Sequence, residues 1–211
     1  MTDIKKKRTD DEIDRINRIQ SDFFGELVEV FDPPLPDGVP ERLDRIVASA
    51  DIGQGDIVLD VGSGTGILVP IIQSYGPQKI VACDLSTKML EHLKGQYPFV
   101  ETTAGDVKDI TFPDKTFDVV FVNACYPNLV DKEKSIENMA RIMKLEGRLV
   151  ISHPMGKAFI DILKERSPFP LDDFPNKLDA ELLLRSFDLH ILVFYDEPEM
   201  YLLVAKKVSY Y

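Results

Sequence analysis

Apolar residues along the chain fall into short continuous runs that alternate with segments of helical periodicity. The runs are typical of buried strands and lie at residues 56–61, 79–83, 117–123 and 148–152, with a weaker one at 99–103. Between them, apolar residues recur every three or four positions and predict helices at residues 66–75, 87–96 and 132–143. Such alternation predicts a mostly parallel sheet with helices on both faces.

The last part of the chain follows a different pattern. Two apolar runs, at residues 189–195 and 200–208, are joined only by Asp196-Glu197-Pro198-Glu199. A connection this short cannot carry the crossover that two parallel neighbours need. The last strand is therefore predicted to run antiparallel.

The N-terminal part reads as an extension of the main domain. Residues 11–31 place apolar side chains on one helical face, and the proline-rich residues 32–38 cannot continue that helix because proline lacks an amide donor. A short helix is predicted from Pro40 onwards. We accordingly divide the chain into residues 1–40, a helix and a linker, and residues 41–211, the main domain.

Composition narrows the classes of function. A chain of 211 residues with 44% hydrophobic residues suits one main domain. The net charge of −11 disfavours nucleic acid as a partner, since phosphates would be repelled on average. Cys83 and Cys125 lack partners at metal-ligand spacing, so we expect no metal site and reduced thiols in a cytoplasmic protein. A signal peptide is not expected, because acidic and polar residues follow the basic residues 5–8, and a membrane span is not expected, because no run of about 18 apolar residues occurs.

A glycine-rich turn follows the first strand. The strand ends at Asp60, and Gly62, Gly64 and Gly66 then lead toward a helix. Glycine suits tight strand-to-helix turns and the close approach of a ligand to the backbone. The dinucleotide pattern G-x-G-x-x-G is absent, because Ile67 stands where its third glycine would be, and the Gly-Lys-Ser/Thr of a P-loop is absent too. The turn could also be purely structural.

Acidic residues close the next two strands. Asp84 ends the second strand, where a carboxylate can accept hydrogen bonds from both hydroxyls of a ribose. Leu85 and Ser86 follow, with Ser86 as the expected N-cap of the next helix. The segment Gly105-Asp106-Val107 repeats the pattern after the weaker strand.

Together these segments resemble the class I S-adenosylmethionine-dependent methyltransferases, particularly the group with the ubiquinone and menaquinone biosynthesis enzymes. Residues 58–66 look like the family's first motif, and residues 138–150 are similar to its segment of helix, turn and fifth strand. The whole resemblance spans roughly residues 52–152. It implies a Rossmann-like α/β three-layer sandwich whose seven-stranded sheet is mostly parallel with the last strand antiparallel, plus the N-terminal helical extension.

The resemblance also implies S-adenosyl-L-methionine as cofactor and a set of residues that hold it. In the family, the aspartate at the Asp106 position accepts a hydrogen bond from the adenine amino group, and Val107 would pack near the ring. Asp60 would contact the methionine amino group directly or through water, or would only orient the turn. The full cofactor-binding set is Asp60, Gly62, Ser63, Gly64, Gly66, Asp84, Leu85, Met89, Asp106, Val107 and Asn123.

Candidates for acceptor chemistry follow the fourth and fifth strands, because open α/β sheets bind ligands at their carboxyl edge. His153 has a side chain whose ordinary pKa suits it to accept a proton from a hydroxyl or thiol. Alternatively, it hydrogen-bonds the loop after Pro154. Asn123 and Tyr126 are the other two catalytic candidates.

The segment Asn123-Ala124-Cys125-Tyr126-Pro127 invites comparison with the N-P-P-Y motif of amino-methylating nucleic-acid enzymes. Both middle residues differ from that motif. Tyr126 is better interpreted as lining the pocket, where it would stack on a flat substrate or cover the methyl group.

Residues 167–175 are rich in proline and aromatic residues. They would cover the acceptor site together with the N-terminal helix and linker, residues 1–40, acting as a lid as in related methyltransferases, or they form a rigid surface connection.

The sequence thus predicts methyl transfer to a small molecule by in-line displacement, with the acceptor and the oligomeric state left open. Three alternatives remain: a nucleic-acid or protein methyltransferase, a non-catalytic regulatory protein that binds S-adenosylmethionine, and a nicotinamide-dependent oxidoreductase.

Overall fold

A seven-stranded sheet forms the centre of the computed structural model, which describes residues 8–209. Residues 1–7, part of the predicted N-terminal extension, and residues 210–211 lie outside the described residues. The strands are β1 (Ile57–Val61), β2 (Lys79–Asp84), β3 (Glu101–Ala104), β4 (Phe117–Asn123), β5 (Met143–His153), β6 (Leu189–Glu197) and β7 (Met200–Lys207).

The sheet has the order β3-β2-β1-β4-β5-β7-β6. Strands β1 to β5 pair in parallel, whereas β7 lies between β5 and β6 and pairs antiparallel with both, as at Leu149 with Ala205 and Phe194 with Leu203. The predicted fold class and the antiparallel last strand are therefore confirmed.

Helices cover both faces of the sheet. They are α1 (Asp10–Glu26), α2 (Val39–Ala48), α3 (Val69–Ser74), α4 (Thr87–Gln96), α5 (Lys132–Ile142), α6 (Ala158–Arg166) and α7 (Lys177–Arg185). Helix α4 has the predicted bounds, and Ser86 caps it as expected by accepting a hydrogen bond from the Met89 amide at 3.4 Å. Within residues 8–209, every helix falls short of the length and apolar content that a membrane span requires.

Three helical regions differ from the predictions. Helix α3 begins at Val69 rather than at Gly66, because the positive φ angles of Gly64 and Gly66 extend the turn. Helix α1 ends at Glu26, and a short 3-10 turn at Val28–Val30 replaces the predicted helical residues up to 31. Helices α6 and α7 were not predicted. In α7 both Leu178 and Leu182 are exposed while Leu184 is buried, so apolar residues on opposite faces hide the helical periodicity.

The core consists of two apolar layers separated by the sheet. In β4, Val120 and Val122 pack with the layer under α5, α6 and α7, while Val119 and Phe121 pack with the layer under α2, α3 and α4. This alternation follows from the period of two along a strand. Because helices cover both faces of the sheet, the strands are apolar on both sides and appear in the sequence as continuous apolar runs.

The order of the strands creates a crevice at one edge of the sheet. The chain moves outward from β1 through β2 to β3 and then resumes with β4 on the other side of β1. The loops that follow the carboxyl ends of β1 and β4 consequently run in opposite directions away from each other. Open α/β sheets bind ligands at such a switch point.

Candidate functional site

A cleft of about 980 Å³, including the space open to solvent, lies at this switch point. It is bounded by the glycine turn after β1, the ends of β2, β3 and β4, and one side of α1. The structure brings nearly all the predicted cofactor residues together here: Asp60, Gly62, Ser63, Gly64, Asp84, Leu85, Met89, Asp106, Val107 and Asn123.

The three glycines of the turn serve different purposes. Gly62 has a φ of 67°, and a Cβ there would overlap the Cys125 thiol. Gly66 lies outside the cleft lining, and a Cβ there would come within 2.9 Å of Leu93 Cγ on α4. A Cβ on Gly64 would meet no described atom within 4 Å. Gly64 therefore leaves backbone open to the cleft, as a ligand cradle requires.

Asp84 is fixed at the end of β2 by backbone donors. Its Oδ2 accepts a hydrogen bond from the Gly64 amide at 2.9 Å, and its Oδ1 accepts one from the Ser86 amide at 2.8 Å. Burial raises the pKa of Asp84, while the amides of Ser86, Gly64 and Leu85 act in the opposite direction. The carboxylate is held in one orientation and keeps lone pairs for a ligand.

Asp60 is 2% exposed at the end of β1. Burial, and then the charge of Asp84, raise its pKa to about 8. No described residue donates a hydrogen bond to its carboxylate. A cationic ligand group would remove this electrostatic penalty.

Two further polar atoms in the cleft lack a partner among the described residues. They are Ser63 Oγ and Asn128 Oδ1, and both are buried. Buried polar atoms are rarely left unpaired, because each costs about 1–3 kcal/mol. Together with Asp60 and the open backbone at Gly64, they fit a polar ligand with a cationic end, such as S-adenosylmethionine.

Asp106 follows β3 and lies opposite α1. Its Oδ1 accepts a hydrogen bond from the Lys108 amide at 3.0 Å, and its Oδ2 accepts one from Asn17 Nδ2 at 2.7 Å. Val107 beside it is buried, and its carbonyl accepts a hydrogen bond from Asn138 Nδ2 at 2.6 Å. Asp106 and Val107 are thus fixed both by their own loop and by distant helices.

Helix α1 contributes residues that the sequence analysis did not identify. Gln20 is 1% exposed and donates to the Asn128 carbonyl at 3.0 Å, and Ser21 donates to the Leu85 carbonyl at 3.0 Å. Asn17, Gln20 and Phe24 line the cleft. The available signal was the spacing 17, 20, 21 and 24, which puts three polar residues and one aromatic residue on one face.

Residues 167–175 reach the same helix. Phe169 packs against Phe23 and Phe24, with ring centroids 5.5 and 5.7 Å apart. The ring centroids of Phe24 and Phe31 are 6.0 Å apart. Phe24 and Phe31 line the cleft as well. The two segments predicted to form a lid are therefore in direct contact.

Of the three predicted catalytic residues, only Asn123 lines the cleft. Its Oδ1 accepts a hydrogen bond from Ser152 Oγ at 3.0 Å. Tyr126 lies outside the lining and stacks on Phe174 with ring centroids 5.7 Å apart. Burial raises the pKa of Tyr126, so its hydroxyl stays protonated.

His153 also lies outside the lining and is 4% exposed. Its Nδ1 accepts a hydrogen bond from the Met155 amide at 3.1 Å, and burial lowers the pKa of the ring to about 4. A neutral ring with Nδ1 as acceptor carries its proton on Nε2, which leaves no lone pair to receive another. This geometry is that of the loop-bonding alternative, and the catalytic role of His153 stays a prediction.

Asp84 and Asp106 give the cleft its negative charge, and Asp60 adds to that charge when a cationic ligand or a pH above about 8 ionises its carboxyl group. These three residues line the cleft, and none of the described lining residues is Lys, Arg or His. Such a field favours cationic and neutral ligands over anionic ones.

Comparison with known proteins is consistent with this geometry. Residues 59–151 match a family model described as a methyltransferase domain. Demethylmenaquinone methyltransferase of Paenarthrobacter aurescens (strain TC1) is 37% identical over 131 residues, which are 60% of this chain and 51% of that protein. The chain thus spans about half the length of the curated relatives it matches.

Solved structures share the fold. The protein solved in complex with the Haloferax volcanii Trm112 methyltransferase activator superposes with a TM-score of 0.73 at 16% identity, covering 90% of this chain and 96% of that one. A SAM-dependent methyltransferase from Aquifex aeolicus gives 0.68 at 19% identity, covering 87% and 98%. Residues 59–151 thus match the methyltransferase domain model, and the chain as a whole has the fold of the S-adenosylmethionine-dependent methyltransferases.

Proposed function

We propose that the protein transfers a methyl group from S-adenosylmethionine to a small, uncharged acceptor. The observation that carries this proposal is the cleft itself, where open backbone at Gly64 lies between the fixed carboxylate of Asp84 and the unpaired carboxylate of Asp60. This combination suits a ligand with a ribose and a cationic end.

Each end of the cleft has residues suited to one part of the cofactor. Asp84 would accept hydrogen bonds from the ribose hydroxyls, and Asp106 would accept one from the adenine amino group. Leu85 and Met89 offer apolar contacts beside them. Asp60 would face the methionine ammonium group.

Bound S-adenosylmethionine supplies a methyl group already activated by the sulfonium. The remaining task of the chain is to hold an acceptor in line and to exclude water. We assign the positioning to Asn123, which Ser152 orients at the end of β4, and the exclusion of water to α1 with residues 167–175.

The lining residues favour an acceptor without negative charge. Phe24, Phe31 and Leu129 supply apolar surface. The described lining residues include no cationic side chain that could pair with an acidic acceptor. Demethylmenaquinone, after which the Paenarthrobacter relative is named, belongs in the first acceptor screen. We further propose a cytoplasmic location and no nucleic-acid partner, in keeping with the net charge of −11.

Calorimetric titration with S-adenosylhomocysteine tests the cofactor half of the proposal. The wild-type protein should bind saturably, and Asp84→Ala should raise the Kd about 100-fold, because charge-assisted hydrogen bonds contribute about 1.5–3 kcal/mol each. Asp161→Ala is the matched control, since that carboxylate is 77% exposed on α6. Absence of binding, or preference for NAD, would overturn the proposal.

The acceptor half is tested by turnover. Neutral aromatic and aliphatic acceptors are compared with carboxylated analogues of the same size, and release of S-adenosylhomocysteine is measured. The neutral members should be preferred. Binding without turnover across the series would favour the non-catalytic, regulatory alternative.

A further inference from the structure

We infer that Asn17 of the N-terminal helix is a positioning residue for Asp106, so that docking of α1 and recognition of the adenine amino group are coupled. The inference rests on the proposed function, since it assumes that S-adenosylmethionine occupies this cleft. It adds to the residues at the strand ends one from outside residues 59–151, the region that the family model matches.

The contacts of Asp106 support this role. Asn17 Nδ2 lies 2.7 Å from Oδ2 and the Lys108 amide lies 3.0 Å from Oδ1, so one donor holds each oxygen. Among the described residues, Asn17 is the only side chain that hydrogen-bonds this carboxylate. Lys108 Nζ is 3.9 Å away and pairs closely with Asp109 instead.

The hydrogen bond from Asn17 fixes the carboxylate of Asp106 and leaves it able to accept further hydrogen bonds. A carboxylate oxygen accepts at two lone-pair positions, so each oxygen of Asp106 keeps one for a ligand. Asp106 has a side chain that is 12% exposed and borders the cleft beside Asn17. The amide therefore restricts the rotation of the carboxylate while leaving it able to accept from the cofactor.

The way α1 docks explains why this contact can be regulated. Asn17, Gln20 and Ser21 contact the main domain through hydrogen bonds to Asp106, Asn128 and Leu85. Apolar contacts of Phe23 and Phe24 with Phe169 also hold α1, but the polar contacts can exchange for hydrogen bonds to water, so the segment around Asn17 can open locally. If docked α1 orients Asp106, cofactor binding must in turn stabilise docked α1, because coupling between two equilibria is reciprocal.

The experiment compares two ligands on three forms of the full chain. Asn17→Ala should raise the Kd for S-adenosylhomocysteine about tenfold, the value of one lost charge-assisted contact. S-inosylhomocysteine lacks the exocyclic amino group, so its weaker binding should change less than twofold in the same variant. Arg18→Ala truncates an exposed side chain of the same helix and should leave both affinities unchanged.

Hydrogen exchange supplies a second readout that does not depend on activity. Binding of S-adenosylhomocysteine should protect the backbone amides of residues 17–26 in the wild type and in Arg18→Ala, and clearly less in Asn17→Ala. Equal loss for both ligands, unchanged affinity, or tighter binding by Asn17→Ala would overturn the role of Asn17. Wild-type protein that fails to bind S-adenosylhomocysteine would instead overturn the proposed function itself.

Discussion

The two sides of the cleft are built by different means. On the strand side, Asp84 is fixed by amides of the neighbouring turns, and the glycine turn is fixed by the Cys83 carbonyl, which accepts from the Gly62 and Ser63 amides at 2.7 and 3.1 Å. On the helix side, side chains far apart in sequence meet, as Asn17 meets Asp106 and Phe24 meets Phe169. The first side is suited to a constant ligand, whereas the aromatic contacts of the second side can vary with the acceptor.

The largest effect is expected from Gly62→Ala, on the strand side. The positive φ and the overlap with Cys125 together should lower the free energy of unfolding by about 4 kcal/mol in urea titrations. Gly64→Ala, where a Cβ meets open space, should cost only about 1 kcal/mol but weaken S-adenosylhomocysteine binding. Gly95→Ala in α4 is the control and should be neutral or stabilising.

A second substitution, at Cys125, separates the two causes of the stability loss in Gly62→Ala. Adding Cys125→Ala to Gly62→Ala should recover only part of the loss that comes from the overlap, because it removes the Sγ but leaves the Cβ of residue 125 within 2.6 Å of the added Cβ. Equal stability losses at Gly62 and Gly64 would contradict the separate roles assigned to them.

Next in size is Phe169→Ala, on the helix side. Phe169 is 6% exposed and joins residues 167–175 to α1 through Phe23 and Phe24. The substitution should cost about 3 kcal/mol, the lower end of the range for a buried phenylalanine, and the loss should appear as faster hydrogen exchange in α1 rather than in the strands. Phe99→Ala, at a site that is 56% exposed, should leave α1 unchanged. A uniform increase across the sheet would show that the two sides are not separable.

Asp60→Asn tests the electrostatics of the strand side. The pKa of Asp60 rises from 3.8 to about 8 on folding, so the folded state holds a proton that the unfolded state loses. Its contribution to stability is fully present below pH 3.8 and is lost as the pH rises to about 8. Without ligand, Asp60→Asn should be more stable than the wild type at pH 8.5 by about 2 kcal/mol.

Urea titrations at pH 5 and pH 8.5 measure this difference, with Asp161→Asn as the surface control. The same variant should bind S-adenosylhomocysteine more weakly, since it cannot supply a negative charge to the ammonium group. Identical pH dependence in wild type and Asp60→Asn would contradict the buried, unpaired state of this carboxylate.

The smallest effect is expected from His153→Gln. With its pKa lowered to about 4 and its Nδ1 bonded to the Met155 amide, the ring should contribute no inflection to a rate profile between pH 6 and 8. The methyl-transfer rate, once an acceptor is found, should fall less than about threefold. A loss of about 100-fold or more would restore His153 as the general base predicted from the sequence.

The local sequence pattern was sufficient to predict the strand side of the cleft and most of the fold. The apolar runs, the glycine turn and the acidic residues at strand ends predicted the sheet, its antiparallel last strand and the placement of Asp60, Asp84 and Asp106. Their positions depend on short segments whose backbone needs are visible in the residues themselves.

The helix side was not accessible in the same way. Gln20 is polar yet 1% exposed, because its donor finds the Asn128 carbonyl, a pairing that no local pattern encodes. Tyr126 and His153 are candidates because they follow strand ends. That position in the sequence could not show that both side chains contact Phe174 and do not line the cleft. Such contacts are set by tertiary packing between distant segments.

Strand order also has a consequence for synthesis of the chain. Because β7 lies between β5 and β6, the edge of β5 that faces away from β4 stays unpaired until residues 200–207 have left the ribosome. Tyr201, which is completely buried, closes that part of the core last. The cofactor half can assemble early from neighbouring segments, whereas the nascent β5 edge would be an exposed strand and a natural site for chaperone binding or misassociation.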